Sequence, residues 1–541
     1  MIILIKNRIV DLLRYYHTLR HLKPIQFFYR AYYLTRSIFR RALGYKPCFS
    51  YYKEGHSLIP KANWIDKAES CTDGNKFCFL NIQNEFRGVW DDGENGDLWR
   101  YNLNYMDFLL QPSMTFDEGY AWIERFIASM SVNSVVCAPY PISLRGMNWI
   151  KFVSIHNDRL TPGQRNAIDT ALYSQYKILL QSTEKHLMAN HYLENGFSLL
   201  HAGCYFNDKT FYGAAKKILY SQLKEQILED GAHFELSPMY HCIILERLLD
   251  CCNIIHRETD CELYDFLNEK AVAMLGWLDA VVMNGKIPLL NDSAVGIAPL
   301  PFEIFSYAKA QGFKWITAVL GDSGYRRFAG LGYDAFVDVA ALGPSYNLGH
   351  SHADTFTFIM DVSGQPFIVD TGITTYTAGT RRDYERSTQA HNTVVVNGMD
   401  SSCVWGGFRC AQRAKVRILE EGVGYVRASH DGYKSLSVTM CRTFVAEDNS
   451  FVIIDEARCG VSAPELVATF YLASGVSVVS ADVEKIVTSL GVFSFAGALS
   501  VVTEPVEIAC SYNILQPAIR ISVSFSEKLT TKILPQNINK L

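Results

Sequence analysis

The sequence predicts a multidomain α+β chain in which a helical toroid or solenoid is followed by an antiparallel β-sandwich domain. Three observations predict it. At 541 residues the chain exceeds what one hydrophobic core usually supports. Apolar residues recur at helical spacing from about residue 100 to about 320. After about 335 they fall instead into short β-branched and aromatic runs separated by turn residues.

The first element, residues 1–45, carries Arg8, Arg14, Arg20, Arg30, Arg36, Arg40 and Arg41 among Leu, Ile, Tyr and Phe. That spacing predicts amphipathic helices with a basic face. Two readings stand: a solvated helical extension packed on the body, or contact with a membrane surface or an anionic partner. The apolar start Met1-Ile2-Ile3-Leu4-Ile5 is followed by Lys6 and Arg8. It is too short for a signal-peptide core and has no small-residue cleavage site. No run reaches the ~18 apolar residues of a transmembrane helix. A cytoplasmic or membrane-peripheral location is the expectation.

The second element spans 46–335. It begins irregularly, with Asp91-Asp92-Gly93-Glu94-Asn95-Gly96, and then predicts helices over 163–182, 184–206, 213–229, 239–256 and 262–284. Breaks such as Asn207-Asp208 and Asp230-Gly231 separate them, and several antiparallel pairs in succession suggest a toroid or solenoid. The third element, 336–541, contains strand-like runs at 355–360, 366–369, 393–396 and 451–454, with turn signals at Asn397-Gly398 and Asp448-Asn449-Ser450.

A composition of 49% hydrophobic and 13% aromatic residues fits large cores rather than disorder. A net charge of −4 with no outstanding basic run gives no nucleic-acid signal, and leaves room for an anionic substrate in a local basic pocket. The 14 Cys show no CxxC pair or regular framework and read mostly as free, buried thiols. There is no GxGxxG, P-loop, GxSxG or HExxH, so nucleotide-dependent and serine-hydrolase chemistries have no motif support.

Three clusters could carry chemistry. In Gly349-His350-Ser351-His352-Ala353-Asp354 an extended chain would place His350, His352 and Asp354 on one face. With Asp370-Thr371-Gly372 and Ala390-His391-Asn392-Thr393 these residues offer either a zinc shell or hydrogen-bonded strand ends. Asn190, His191, Glu194 and Asn195 lie at i,i+4 spacing within a helix, as a carboxylate-binding row or a polar layer between helices. Asp230 through His241 packs His233, Glu235, Tyr240 and His241 just ahead of an apolar helix. There the positive end of the helix dipole would favour a phenolate at Tyr240. Weaker candidates are the stretch 139–149, with Arg145 for an anionic sugar and Trp149 for stacking, and Asn291-Asp292 in a loop.

These clusters, in this order, resemble the heparinase II/III-like polysaccharide lyases and their alginate-lyase relatives over roughly residues 80–460. The stretch Trp99-Arg100-Tyr101-Asn102-Leu103-Asn104-Tyr105 is similar to members found among surface-polysaccharide genes. The resemblance implies an incomplete (α/α) toroid joined to a β-sandwich, with an acidic polysaccharide or oligosaccharide in the cleft between them. By resemblance, Asn190 and His191 neutralise the uronate carboxylate, and Tyr240 and His350 are the catalytic tyrosine and histidine. Arg145, Asn148, Trp149, Glu235 and Tyr376 would contact sugar, and His352, Asp370 and His391 would hold a structural Zn2+. The implied reaction is β-elimination. Hydrogen bonds and positive charge stabilise the enolate-like transition state, a Tyr or His takes the C5 proton, and a Tyr protonates the departing O4. Secreted members carry signal peptides and this chain shows none, which points toward surface-polysaccharide metabolism. Two alternatives remain: a non-catalytic glycan-binding or assembly protein of the same fold, and a zinc-dependent hydrolase.

Overall fold

The computed structural model describes residues 2–460 and 464–536, with only the backbone described for 2–10. The apolar start Met1–Ile5 therefore lies outside the described side chains. Two helices come first, α1 (Ile2–Leu19) and α2 (Pro24–Ala42). In the stretch expected to be irregular, β1 (Cys71–Thr72), β2 (Lys76–Phe79) and β3 (Ile82–Glu85) form a small antiparallel sheet.

The helical body follows as α3 (Asp97–Tyr105), α4 (Phe116–Ser129), α5 (Pro139–Ile155), α6 (Pro162–Gln181), α7 (Ala189–Tyr205), α8 (Lys209–Gln226), α9 (Pro238–Ile254), α10 (Cys261–Val281) and α11 (Pro301–Ala310). Local chemistry sets the helix starts. Thr161 and Gln164 form a capping box ahead of α6, and Asp208 caps α8. At α9 the Ser237 hydroxyl accepts from the Tyr240 N–H, and Pro238 occupies the first helical position. Helices α5, α7 and α9 touch one another and are buried almost all round, while α6, α8 and α10 partner them on the outside. Such inner–outer alternation is what an (α/α) toroid requires. Helix α7 starts five residues later than the apolar pattern suggests. Met188 (φ 62°) and Ala189 (φ 50°) sit in the left-handed region and delay it.

Among the described residues the second half is built on one antiparallel sheet of fourteen strands. Its strands are β4 (Tyr325–Gly330), β5 (Tyr333–Asp338), β6 (Phe358–Val362), β7 (Gln365–Ile368) and β8 (Val394–Val396), then, beyond a small hairpin of β9 (Val404–Trp405) and β10 (Arg409–Cys410), β11 (Val416–Gly422), β12 (Tyr425–His430), β13 (Val438–Glu447), β14 (Ser450–Cys459), β15 (Leu466–Leu472), β16 (Val478–Ala481), β17 (Lys485–Thr488), β18 (Gly491–Ser511) and β19 (Ile514–Pro535). A short helix, α12 (Thr380–Glu385), precedes β8. The main path runs β11-β12-β13-β14-β19-β15-β7-β6-β5-β4. Phe358 of β6 meets Phe444 of β13 and Phe451 of β14, strands that are not its neighbours along that path. The sheet therefore folds over a single apolar core in sandwich fashion.

The expected domain boundary at 335/336 falls inside β5, because β4 already belongs to the large sheet. The run Tyr325-Arg326-Arg327-Phe328 is too polar to signal a strand, and only its pairing with β5 makes it one. All fourteen cysteines are free as expected, but only six are buried and four are exposed, so burial is not their common feature. Among the described residues no helix is long and apolar enough to cross a membrane.

Candidate active site

The cleft is assembled from loops and helix starts, three of them beside strained backbone. Besides Met188 and Ala189 ahead of Asn190, Leu236 (φ 56°) follows Glu235 and Asn291 (φ 55°) precedes Asp292. Each non-glycine residue held so costs about 1–3 kcal/mol, and such positions cluster where geometry serves chemistry.

At the centre is Asp292, fully buried. Its carboxylate accepts from His350 Nδ1 at 2.9 Å, from His352 Nε2 at 2.9 Å, and from both terminal nitrogens of Arg382 on α12, one of them at 2.7 Å. Burial works against its charge. The Arg382 guanidinium and these hydrogen bonds more than offset that and hold the carboxyl well below the usual range. Since Nδ1 of His350 donates to Asp292, Nε2 is left as the lone-pair position of the neutral ring. The Nε2 atom faces the Asn190 amide at 3.3 Å.

Tyr240, in the first turn of α9, lays its ring against His350 with centroids 4.0 Å apart. Its hydroxyl lies 3.4 Å from that of Tyr376. Burial pushes the phenol above its usual value, and the Asp292 and Glu235 charges add to this, so the group is protonated at neutral pH. The helix start does not produce the phenolate that the dipole alone would favour. Tyr512, at the tip of the long β18–β19 hairpin, backs Tyr376 at 5.4 Å. That tip is tied to the β2–β3 turn by Asn81 and Asn513, which donate to Tyr512 O and Leu80 O.

His191 is partly exposed beside Asn190, with Nδ1 3.2 Å from Glu184 Oε1 and its ring 4.7 Å from that of Tyr140. Burial disfavours its charge, but Glu184, and more weakly Glu235 and Glu194, outweigh it and raise the pKa. His191, Tyr240, His350 and Tyr376 all keep partly exposed faces, and the structure links Asn190 to His350, His350 to Tyr240 and Tyr240 to Tyr376 in one chain of contacts.

Other expected residues lie elsewhere. Arg145 is fully buried, and its guanidinium donates to Gln175 Oε1 (2.7 Å), Asn104 O (2.9 Å) and Val136 O (3.1 Å). Asn148 donates to Tyr105 O at 2.9 Å, and Trp149 Nε1 donates to Met106 Sδ. These three are core residues of α5, an inner helix buried all round, so none contacts sugar. Tyr140, at the start of the same helix, is the one that reaches the cleft. Arg145→Ala is accordingly expected to lower stability by about 2–5 kcal/mol, measured by urea unfolding, and to leave KM unchanged. Glu235, 2% exposed, accepts from Asn190 Nδ2 at 2.8 Å and so orients Asn190 rather than binding sugar. Glu194 and Asn195 serve the helical core through Arg247 and Ser143.

The proposed zinc trio is also rearranged. Asp370 accepts from His391 Nδ1 (2.7 Å) and from the Gly372 N–H (2.9 Å), while His352 Nε2 is engaged by Asp292. The buried His352 Nδ1, His391 Nε2 and Asp354 Oδ2 have no hydrogen-bond partner. Even so, no group of three or more His, Cys, Asp or Glu among the described residues is placed to hold a metal ion. The trio forms a buried polar layer under His350, and Asp354 does not share the face of His350 and His352, because 349–354 is a loop and not a strand. Asp292, one of the weaker sequence candidates, and Arg382, not singled out at all, are the groups that organise the site. Arg382 sits in the polar run Thr380-Arg381-Arg382-Asp383, which carries no local signal of burial.

Comparison with known proteins agrees with this architecture. The family model described as heparinase II/III N-terminus matches residues 168–296, and that described as heparinase II/III-like, C-terminal, matches residues 315–534. A heparin-sulfate lyase of Bacteroides stercoris is 24% identical over 304 residues, which is 49% of this chain and 43% of that protein, so the match spans less than half of the relative. The structure of a heparan sulfate lyase mutant from Pedobacter heparinus superposes with a TM-score of 0.62 at 15% identity, covering 86% of this chain and 81% of that one. The chondroitin AC lyase of Streptomyces coelicolor, in complex with chondroitin sulphate, gives 0.54 at 11% identity over 82% of this chain and 75% of its own. At these identities the superpositions establish the shared fold. With both halves matched by family and by fold, the chain belongs to the heparinase II/III-like family.

Proposed function

We propose that this chain is a polysaccharide lyase that cleaves a uronate-containing glycan of the glycosaminoglycan class by β-elimination. The observation that carries the reading is the close ring contact between Tyr240 and His350, with His350 anchored on Asp292 and the Asn190 amide facing its other nitrogen. The names of the relatives, heparin-sulfate, heparan sulfate and chondroitin lyases, support the substrate class.

In this reading the cationic His191 and the Asn190 amide bind the C5 carboxylate and stabilise the enolate-like transition state. His350 Nε2 takes the C5 proton. The C5–H electron pair forms the C4–C5 double bond as the C4–O4 bond breaks, and the protonated phenol of Tyr240 delivers a proton to O4. The contact between the two rings lets the proton on His350 return to Tyr240, through water, before the next turnover. Tyr140, partly exposed beside His191, and the partly exposed Tyr101, linked to it through the buried Tyr105, offer aromatic faces suited to stacking on further sugar rings.

The test is ultraviolet absorbance of unsaturated products across a panel of uronate glycans. Turnover without that absorbance, or glycan binding without turnover by folded protein, would overturn the reading in favour of a hydrolase or a binding protein. Since the His191 pKa is raised by its carboxylate neighbours, its charge is present below about pH 6.5, the ordinary histidine value. The charge is lost as pH rises through the higher native value. KM for an anionic substrate is therefore expected to rise across that alkaline window, and His191→Ala to flatten the rise, as read from initial rates.

A further inference from the structure

Surface helices ordinarily turn their apolar stripe inward. Helix α2 does the reverse. Its inward face is polar: Gln26 donates to Leu187 O, Tyr33 to Thr183 O, and Arg36 and Arg40 to Gln181. Lys23, its N-cap, pairs with Glu225. Its outward face holds Phe27, Leu34 and Ile38 at helical spacing, joined by Phe28 and Phe39, with Leu34, Phe28 and Phe39 each 63% exposed. Helix α1 continues the surface with Leu12, Leu13 and Tyr16 outward, while Thr18 bonds to Cys410 O and Tyr15 packs on Trp405. Both helices are thus tethered by their polar sides to the two halves of the molecule, and the apolar side is held out as a fixed surface.

Charge decides what covers it. Residues 11–45 carry seven Lys and Arg against a single acid, Asp11, in a protein whose net charge is −4. Exposed Arg30 and Arg41 flank the apolar strip. In a two-fold dimer the strip would meet itself, adding arginine to arginine with almost no carboxylate to oppose it. An anionic bilayer supplies both an acyl boundary for Phe and Leu and negative headgroups for Arg. We propose that the outward face of α1–α2 docks this protein peripherally on an anionic phospholipid membrane. Because α2 rests on residues 181–187, immediately ahead of Asn190, docking would hold the cleft beside the bilayer.

The experiment is co-sedimentation of the full chain with phosphatidylcholine vesicles, with and without phosphatidylserine. Binding is expected only with phosphatidylserine, weakening as salt rises. Leu34→Glu with Ile38→Glu, and separately Arg30→Glu with Arg41→Glu, should each cut it about ten-fold or more. The urea-unfolding midpoint should stay unchanged in both variants, since these side chains point away from the body. No binding to phosphatidylserine vesicles by the parent, binding untouched by either variant, or concentration-dependent dimerisation that the same substitutions abolish would overturn the proposal, the last assigning the face to a second copy of the chain.

Discussion

Asp292→Ala is expected to lower folding stability by about 3–5 kcal/mol and, under the proposed mechanism, to remove lyase turnover, because it strands a buried charge and frees the His350 ring. Arg382 is fully buried and bidentate on this carboxylate, so losing Asp292 leaves the guanidinium unpaired in the interior. The same substitution releases His350 Nδ1 and His352 Nε2, both 2.9 Å from Asp292. Urea unfolding reads the stability loss, and a change below about 1 kcal/mol, the size of an ordinary net hydrogen bond, would show that the carboxylate is not the keystone. The pH sign follows from the depressed native pKa. The contribution of Asp292 is present above about pH 4, the ordinary aspartate value, and is lost as pH falls toward the lower native value. Asp292→Asn should retain the shape and lose that acid-dependent step.

Tyr240→Phe is the second large effect, and it separates chemistry from architecture. The phenol makes one weak polar contact, 3.4 Å to Tyr376, so unfolding should shift little. If the phenol is the proton donor to O4, kcat should fall by about 10²–10⁴-fold with glycan binding retained. A variant that turns over at the parental rate would remove Tyr240 from the mechanism and leave His350 to act alone. The conservative Tyr376→Phe is a useful companion. It leaves the Tyr240–His350 ring contact in place and removes the hydrogen bond to the phenol.

Much of the architecture was legible from periodicity. The five expected helices correspond to α6–α10 within a few residues at most ends, and the runs at 393–396 and 451–454 lie in β8 and β14. The larger misses have local causes. Left-handed Met188 and Ala189 delayed α7, and the polar run at 325–328 hid β4. Within the site, Asn190, His191, Tyr240, Tyr376 and His350 were all singled out from the chain. Arg145, Asn148 and Trp149 were expected to contact sugar, but α5 is an inner helix buried all round and takes all three into the core.

What the sequence determined by itself is the identity of the elements and the order of the chemical clusters, since the spacing of apolar residues and the chemistry of caps act over a few neighbouring positions. Tertiary structure alone decided which polar groups face the cleft and which are spent on one another. Asp292 and Arg382 are ninety positions apart, and Glu235 meets Asn190 across forty-five. The first pairing is fixed by the closing of the sheet domain onto the helical body and the second by the packing of α7 against α9, because a buried charge must find its partner whatever the separation along the chain.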